Sequence, residues 1–215
     1  RFPDYAQLVN PKPITIETVR AVLDSDEAMI ATYVGLEETY VWAASREGDL
    51  EFAVVDVGRK TLLETVNNLR QALEPDATTL GDIPDFDLST AYKLYTKILK
   101  PVEAAWKGKN SLLVVAHGPL GHLPFSLLPT KPVGLKSGVE PLFSNYRNVP
   151  WLARSHAVTI LPSVASLRTL RGLPRGAATR TAFVGFADPR FSQPQTSAAT
   201  SKPKKTTEVA KLTSR

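Results

Sequence analysis

Apolar positions recur along this chain in two periods, and the switches between them mark out its elements. Residues 1–14 hold Pro3, Pro11 and Pro13, which predicts an extended lead-in that ends at Thr15. Thr15 can cap a helix carrying Ile16, Val19, Val22 and Leu23 on one face, and Asp24 and Ser25 end it. Three segments rich in β-branched and aromatic residues follow, at 28–34, 40–44 and 50–57. The loops between them, 35–38 and 45–49, are short and bear glycine, so an antiparallel meander is expected.

The period then changes to helical. Thr61 with Glu64 three residues on suggests a capping box, and Leu62, Leu63, Val66, Leu69 and Leu73 should pack a leucine face on the meander. A loop through Pro75 and Pro84 leads to a second helix over 89–99, with Leu94, Tyr95, Ile98 and Leu99 inward. Pro101 should kink or restart it, because proline lacks the amide proton and its ring collides with the preceding turn. A buried-type strand, 111–116, runs straight into His117-Gly118-Pro119-Leu120-Gly121-His122-Leu123-Pro124-Phe125. Further on stand a strand at 157–161, a helix opening at Pro162 and closing at Gly172, and another apolar strand at 182–186. That order predicts a parallel sheet joined by a right-handed crossover. After Phe191 the pattern fades into Ser, Thr, Gln, Pro and Lys, the composition of a disordered loop or tail.

Composition sharpens this picture. With 43% hydrophobic and 22% charged residues the chain is neither fibrous nor disordered as a whole. No window approaches the roughly 18 consecutive apolar residues of a membrane-spanning helix, and the first residues lack a signal peptide's apolar run. A cytoplasmic setting without membrane contact is therefore expected. There is no cysteine, which removes disulfides, thiolate metal sites and a thiol nucleophile from these 215 residues. The formal net charge of +5 is uneven: residues 168–215 hold ten basic and two acidic side chains, leaving −3 for the rest.

In the order of these segments the chain resembles the CHAT family over roughly residues 1–191. The likeness is carried by Asp26-Glu27-Ala28, by Leu94-Tyr95 with Pro101-Val102-Glu103, and by HGPLGHLPFSLL from His117 to Leu128. It is carried too by Val149-Pro150-Trp151-Leu152, by Leu161-Pro162-Ser163 with Ser166-Leu167, and by Phe183-Val184-Gly185-Phe186-Ala187-Asp188-Pro189. The resemblance implies an α/β fold, a caspase-like mixed sheet flanked by helices and preceded by the antiparallel β-meander. The family includes cysteine peptidases and relatives of separase. Its catalytic histidine follows a later strand, in a segment like Ala-Thr-His-Gly, and its cysteine ends the next strand; neither segment occurs here.

The chain is accordingly expected to be the amino-terminal part of a CHAT domain, without thiol peptidase activity of its own. Residues 1–14 would be the extended lead-in and 15–108 the meander and helices of the amino-terminal subdomain. Residues 109–191 would form the α/β part, and 192–215 a basic disordered tail. Expected partners are the remaining half of the CHAT domain, tetratricopeptide-type repeats or other proteins, and a second copy through an unpaired sheet edge.

No catalytic, cofactor-binding or metal-ligating residue is assigned. His117 superficially imitates the family's catalytic histidine, but Pro119, Leu123, Pro124 and Phe125 around it match the family's earlier, noncatalytic turn. His117 and His122 lie five apart in a proline-bounded turn rather than four apart on a helix, and with His156 they make no zinc pattern. Ser126, Ser163 and Ser166 sit in no Gly-x-Ser-x-Gly elbow, and Ser163 reads as a helix-start residue. Gly134-Leu135-Lys136-Ser137 lacks the second glycine before lysine that a phosphate loop requires. Trp42, Trp106 and Trp151 are expected in the core or at its edge, Trp151 with an alternative role in contacting the catalytic half. Arg168, Arg171, Arg175 and Arg180, with Lys202, Lys204 and Lys205, support a nucleic-acid-binding alternative. Without interleaved aromatics or a recognition helix, a solvated basic surface is the favoured account.

Overall fold

A computed structural model describes residues 14–135 and 141–172. All of these lie in one compact unit, Arg1–Pro174. The expected strand at 182–186 and the basic tail fall outside the described residues.

Helix α1 spans Ile16–Val22, and Thr15 caps it by accepting the Thr18 amide. The meander follows as β1 (Glu27–Val34), β2 (Thr39–Ser45) and β3 (Glu51–Val55). Helix α2 covers Arg59–Gln71 and α3 covers Leu88–Ile98. A 3-10 turn over Lys100–Ala105 restarts the chain at Pro101, as proline's lost amide requires. Then come β4 (Ser111–Val115), a run of short 3-10 turns, β5 (Ala157–Ile160) and α4 (Val164–Gly172). No helix among the described residues is long and apolar enough to cross a membrane.

The strands form one mixed sheet in the order β3-β2-β1-β4-β5. β1, β2 and β3 pair antiparallel, whereas β1 with β4 and β4 with β5 run parallel. The α/β class and the flanking helices are as expected. The antiparallel meander at the amino-terminal side is as expected too, and Glu27↔Ser111 through Ala31↔Val115 join it directly to the parallel part. The described part of the connection between β4 and β5 carries short 3-10 turns and no α-helix.

Each face has its own apolar cluster. On one, Ala28, Ile30, Val34, Val41, Ala43, Leu112 and Val114 meet α2 and α3 through Leu62, Val66, Leu69, Ala91, Leu94 and Ile98. Burying each of the valine, leucine and isoleucine side chains among these contributes about 1.5–3 kcal/mol. Trp106 lies in this core, 2% exposed, with its indole N–H donated to the Leu99 carbonyl at 3.3 Å. On the opposite face Met29 and Leu113 pack under Leu23 from the end of α1 and Leu167 of α4. The two buried threonine hydroxyls have partners: Thr39 donates to the Val57 carbonyl at 2.6 Å, and Thr32 accepts the His117 amide at 3.0 Å.

Two helix details depart from expectation. α2 begins at Arg59 with Gly58 as its cap, so Thr61 and Glu64 lie inside the helix and form no capping box. The reason is a close approach of backbone. The Arg59 amide donates to the Gly35 and Leu36 carbonyls, and a Cβ on residue 58 would overlap the Leu36 carbonyl oxygen. Leu63, expected on the packed face, is 48% exposed, because it stands about 100° around the helix from Leu62, off the row of Leu62, Val66 and Leu69 that packs inward. A capping box does occur at Thr79, whose amide and hydroxyl donate to Asp82.

Candidate functional site at the carboxyl ends of the parallel strands

In sheets of this class chemistry is placed where parallel strands end and the chain turns away. Here β1 ends at Val34, β4 at Val115 and β5 at Ile160. The chain leaving β4 carries His117, and the chain leaving β5 carries Ser163.

His117 is pinned by three contacts. Its amide donates to the Thr32 hydroxyl at 3.0 Å, and its Nδ1 accepts the Val34 amide at 3.0 Å. Its ring stacks on Tyr33 at 4.7 Å and 13°. With the Nδ1 lone pair engaged, the neutral ring holds its proton on Nε2. Gly118 follows at φ +60°, a conformation other residues adopt with strain, and turns the chain over Val34. Leu120, Leu123, Phe125 and Leu128 then drop into the core. His117 thus ties the end of β1 to the end of β4. Among the described residues no hydroxyl or thiol is hydrogen-bonded to its imidazole.

The other candidates scatter. His122 is exposed, and its carbonyl accepts from Arg70 at 3.1 Å. His156 stands at the opposite end of the sheet, just before β5, edge-on to Trp106 at 5.2 Å. Burial holds its imidazole below the ordinary histidine range, opposed by the Lys107 carbonyl. Its Nδ1 lies 2.8 Å from the Ser155 hydroxyl, a contact between sequence neighbours with no outside signal in the sequence. No group of three His, Cys, Asp or Glu that could hold a metal ion occurs among the described residues. Ser163 accepts the Ser166 amide at 3.1 Å as a helix-start residue does. Ser126 is half-buried in the 3-10 turn Phe125–Leu127.

Trp151 packs within this chain, edge-on to Phe86 at 5.9 Å and stacked with Tyr146 at 6.3 Å. Trp42 is half-exposed on the outward face of the meander, with Tyr40, Phe52 and Tyr33 close by. Arg171 is held by Glu27, with 2.6 Å contacts to both carboxylate oxygens, and by Asp24 at 3.6 Å. Arg175, Arg180 and the three lysines lie outside the described residues.

A family model for the CHAT domain matches residues 88–214, more than half of the chain. The chain belongs to the CHAT domain family. The match begins at α3 and takes in β4, the His117 turn, β5 and α4. It starts later and ends further on than the resemblance over 1–191 suggested, and leaves out Asp26-Glu27-Ala28. No curated protein matches. Two solved structures do, a non-polymerisable quadruple mutant of pCBH ParM and the Alp12 filament. They are 16% and 12% identical over 50% and 46% of this chain, both with a TM-score of 0.27, too low to bear on the fold. The chain spans 43% and 40% of their lengths.

Proposed function

We propose that this chain is the non-catalytic, amino-terminal portion of a CHAT module whose parent resembles a caspase-like cysteine endopeptidase. It builds the first strands, covers one face with α2 and α3, and holds the part that carries the thiol and its base. The observation that carries this reading is the state of β5. β4 is buried along its middle, whereas Ala157, Thr159 and Ile160 of β5 are exposed, and β5 ends the sheet order among the described residues. An apolar parallel strand in that condition is an edge fit to be continued. The chain also lacks cysteine, and His117 uses its Nδ1 lone pair on backbone. A thiolate peptidase needs both a thiol and a free base.

A second reading, a protein-interaction module without catalysis, is favoured by the open aromatic face of the meander. A nucleic-acid-binding role has less support, since Arg171 is occupied by Glu27. The test compares turnover of a fluorogenic peptide library by this chain alone and by any longer polypeptide that its gene encodes. No turnover by the chain, and turnover by a longer form with a His-Gly strand end and a Cys strand end, is the expected result. Cleavage by the chain alone overturns the proposal; an inactive longer form that still binds partners favours the interaction module.

A further inference from the structure

Tyr33, Tyr40, Trp42 and Phe52 lie together on one face of the meander. Register puts them there, since Tyr33↔Tyr40 and Trp42↔Phe52 are direct cross-strand partners. Tyr33 and Tyr40 are 6.3 Å apart, Tyr40 and Phe52 6.5 Å, and Trp42 and Phe52 5.4 Å, with His117 stacked beyond Tyr33. Met29 faces the same way, but the apolar cluster under α1 and α4 includes none of these rings. Tyr33 and Phe52 remain 52% and 51% exposed, and Val54 beside them 49%. A contiguous apolar patch of this kind marks an interaction surface.

Charge says what it would take. Residues 27–57 hold seven acidic side chains against Arg46 alone, a formal net of −6. Glu27 is paired with Arg171, while Glu37, Glu38 and Asp56 are exposed at one end of the strands and Glu47 and Asp49 at the other. Glu38 reaches the patch itself, accepting the Tyr40 hydroxyl at 3.2 Å. Arg46, Arg20 and Arg59 are turned to backbone: Arg46 to the Leu23 carbonyl, Arg20 to that of Gly48, Arg59 to that of Val34. Aromatic faces inside an acidic rim attract guanidinium groups by stacking and cation–π contact, and repel phosphate chains.

We propose that this face binds a basic, extended segment of a partner protein, its arginines laid on the rings and paired with the rim carboxylates. An extended segment with a cation at every second residue repeats at about 6.6 Å. The steps from Tyr33 to Tyr40 and from Tyr40 to Phe52 match it, at 6.3 and 6.5 Å.

The test uses a fluorescein-labelled peptide of five Arg-Thr repeats titrated with the whole chain and followed by anisotropy, with a Glu-Thr repeat as control. Saturable binding of the Arg-Thr peptide alone is expected. Tyr33→Ser with Phe52→Ser should weaken it about tenfold or more. Glu37→Gln with Glu38→Gln, at exposed positions the fold does not need, should weaken it and flatten its salt dependence. An unchanged affinity in the ring variant, or equal binding of the Glu-Thr peptide, overturns the proposal. So does a wild-type dimer in ultracentrifugation that the ring variant dissolves, since a second copy would then own the face. If the ring variant fails to melt cooperatively, the carboxylate variant decides, and an unaltered salt slope counts against the proposal.

Discussion

The same three strands present two unlike faces. Inward, β1 and β2 show Ala28, Ile30, Val34, Val41 and Ala43, all buried under α2 and α3. Outward, the alternate positions carry Tyr33, Tyr40, Trp42 and Phe52, larger and more apolar than solvent-facing strand positions usually are. Alternation along a strand tells which residues share a face, but not which face is covered. Here the smaller residues make the core, because helices pack close to a sheet whose side chains are small. The larger ones are left for a surface role.

That contrast can be broken by substitution. The largest effect is expected inside: Ile30→Ala should cost about 2–5 kcal/mol through lost burial and a cavity, lowering the urea midpoint. Gly58→Ala comes next at about 1–3 kcal/mol, since its new methyl would overlap backbone of the β1–β2 loop that cannot move as a side chain does. Thermal melts should show it as destabilised, and a wild-type melting temperature would mean that loop yields.

His117 sits where the two faces meet. Its replacement by Leu strands the Val34 amide and should cost about 1–3 kcal/mol, read as faster hydrogen exchange at Val34. Asp87→Ala, at the cap of α3, should cost about 1 kcal/mol. The same cap carries a pH dependence. The Thr90 hydroxyl, then its amide, hold the Asp87 carboxyl below the ordinary range. A carboxyl lowered on folding stabilises above its unfolded value of about 3.9 and loses that contribution as pH falls through the folded value. Acid titration of Asp87→Ala should therefore show a shallower decline in stability below about pH 4 than wild type. Least of all, Phe52→Ser on the outward face should change stability by about 0.5 kcal/mol or less. A cost like that of Ile30→Ala would show that the ring cluster holds the fold together after all.

Much of the fold could be read from the residues. The Thr15 cap, the three strands of the meander, the restart at Pro101 and the buried strand before His117 stand where period and turn chemistry put them. These features depend on contacts within a few residues, which a linear pattern records. The family assignment rests on the same local pieces in order, and the matched region holds most of them.

What only the tertiary structure decided depends on residues far apart in the chain. The cap of α2 moved to Gly58 because a loop more than twenty residues earlier reaches it. His117 took its partners from β1, some 83 residues back, and so became a tie between strands. β4 and β5 are both short apolar strands, yet among the described residues one is interior and the other lies at the end of the sheet. Sequence determined that each would be extended; neighbours across the sheet determined which of their groups met water. The physical reason is that burial and hydrogen-bond partnership belong to pairs of segments, while propensity belongs to one.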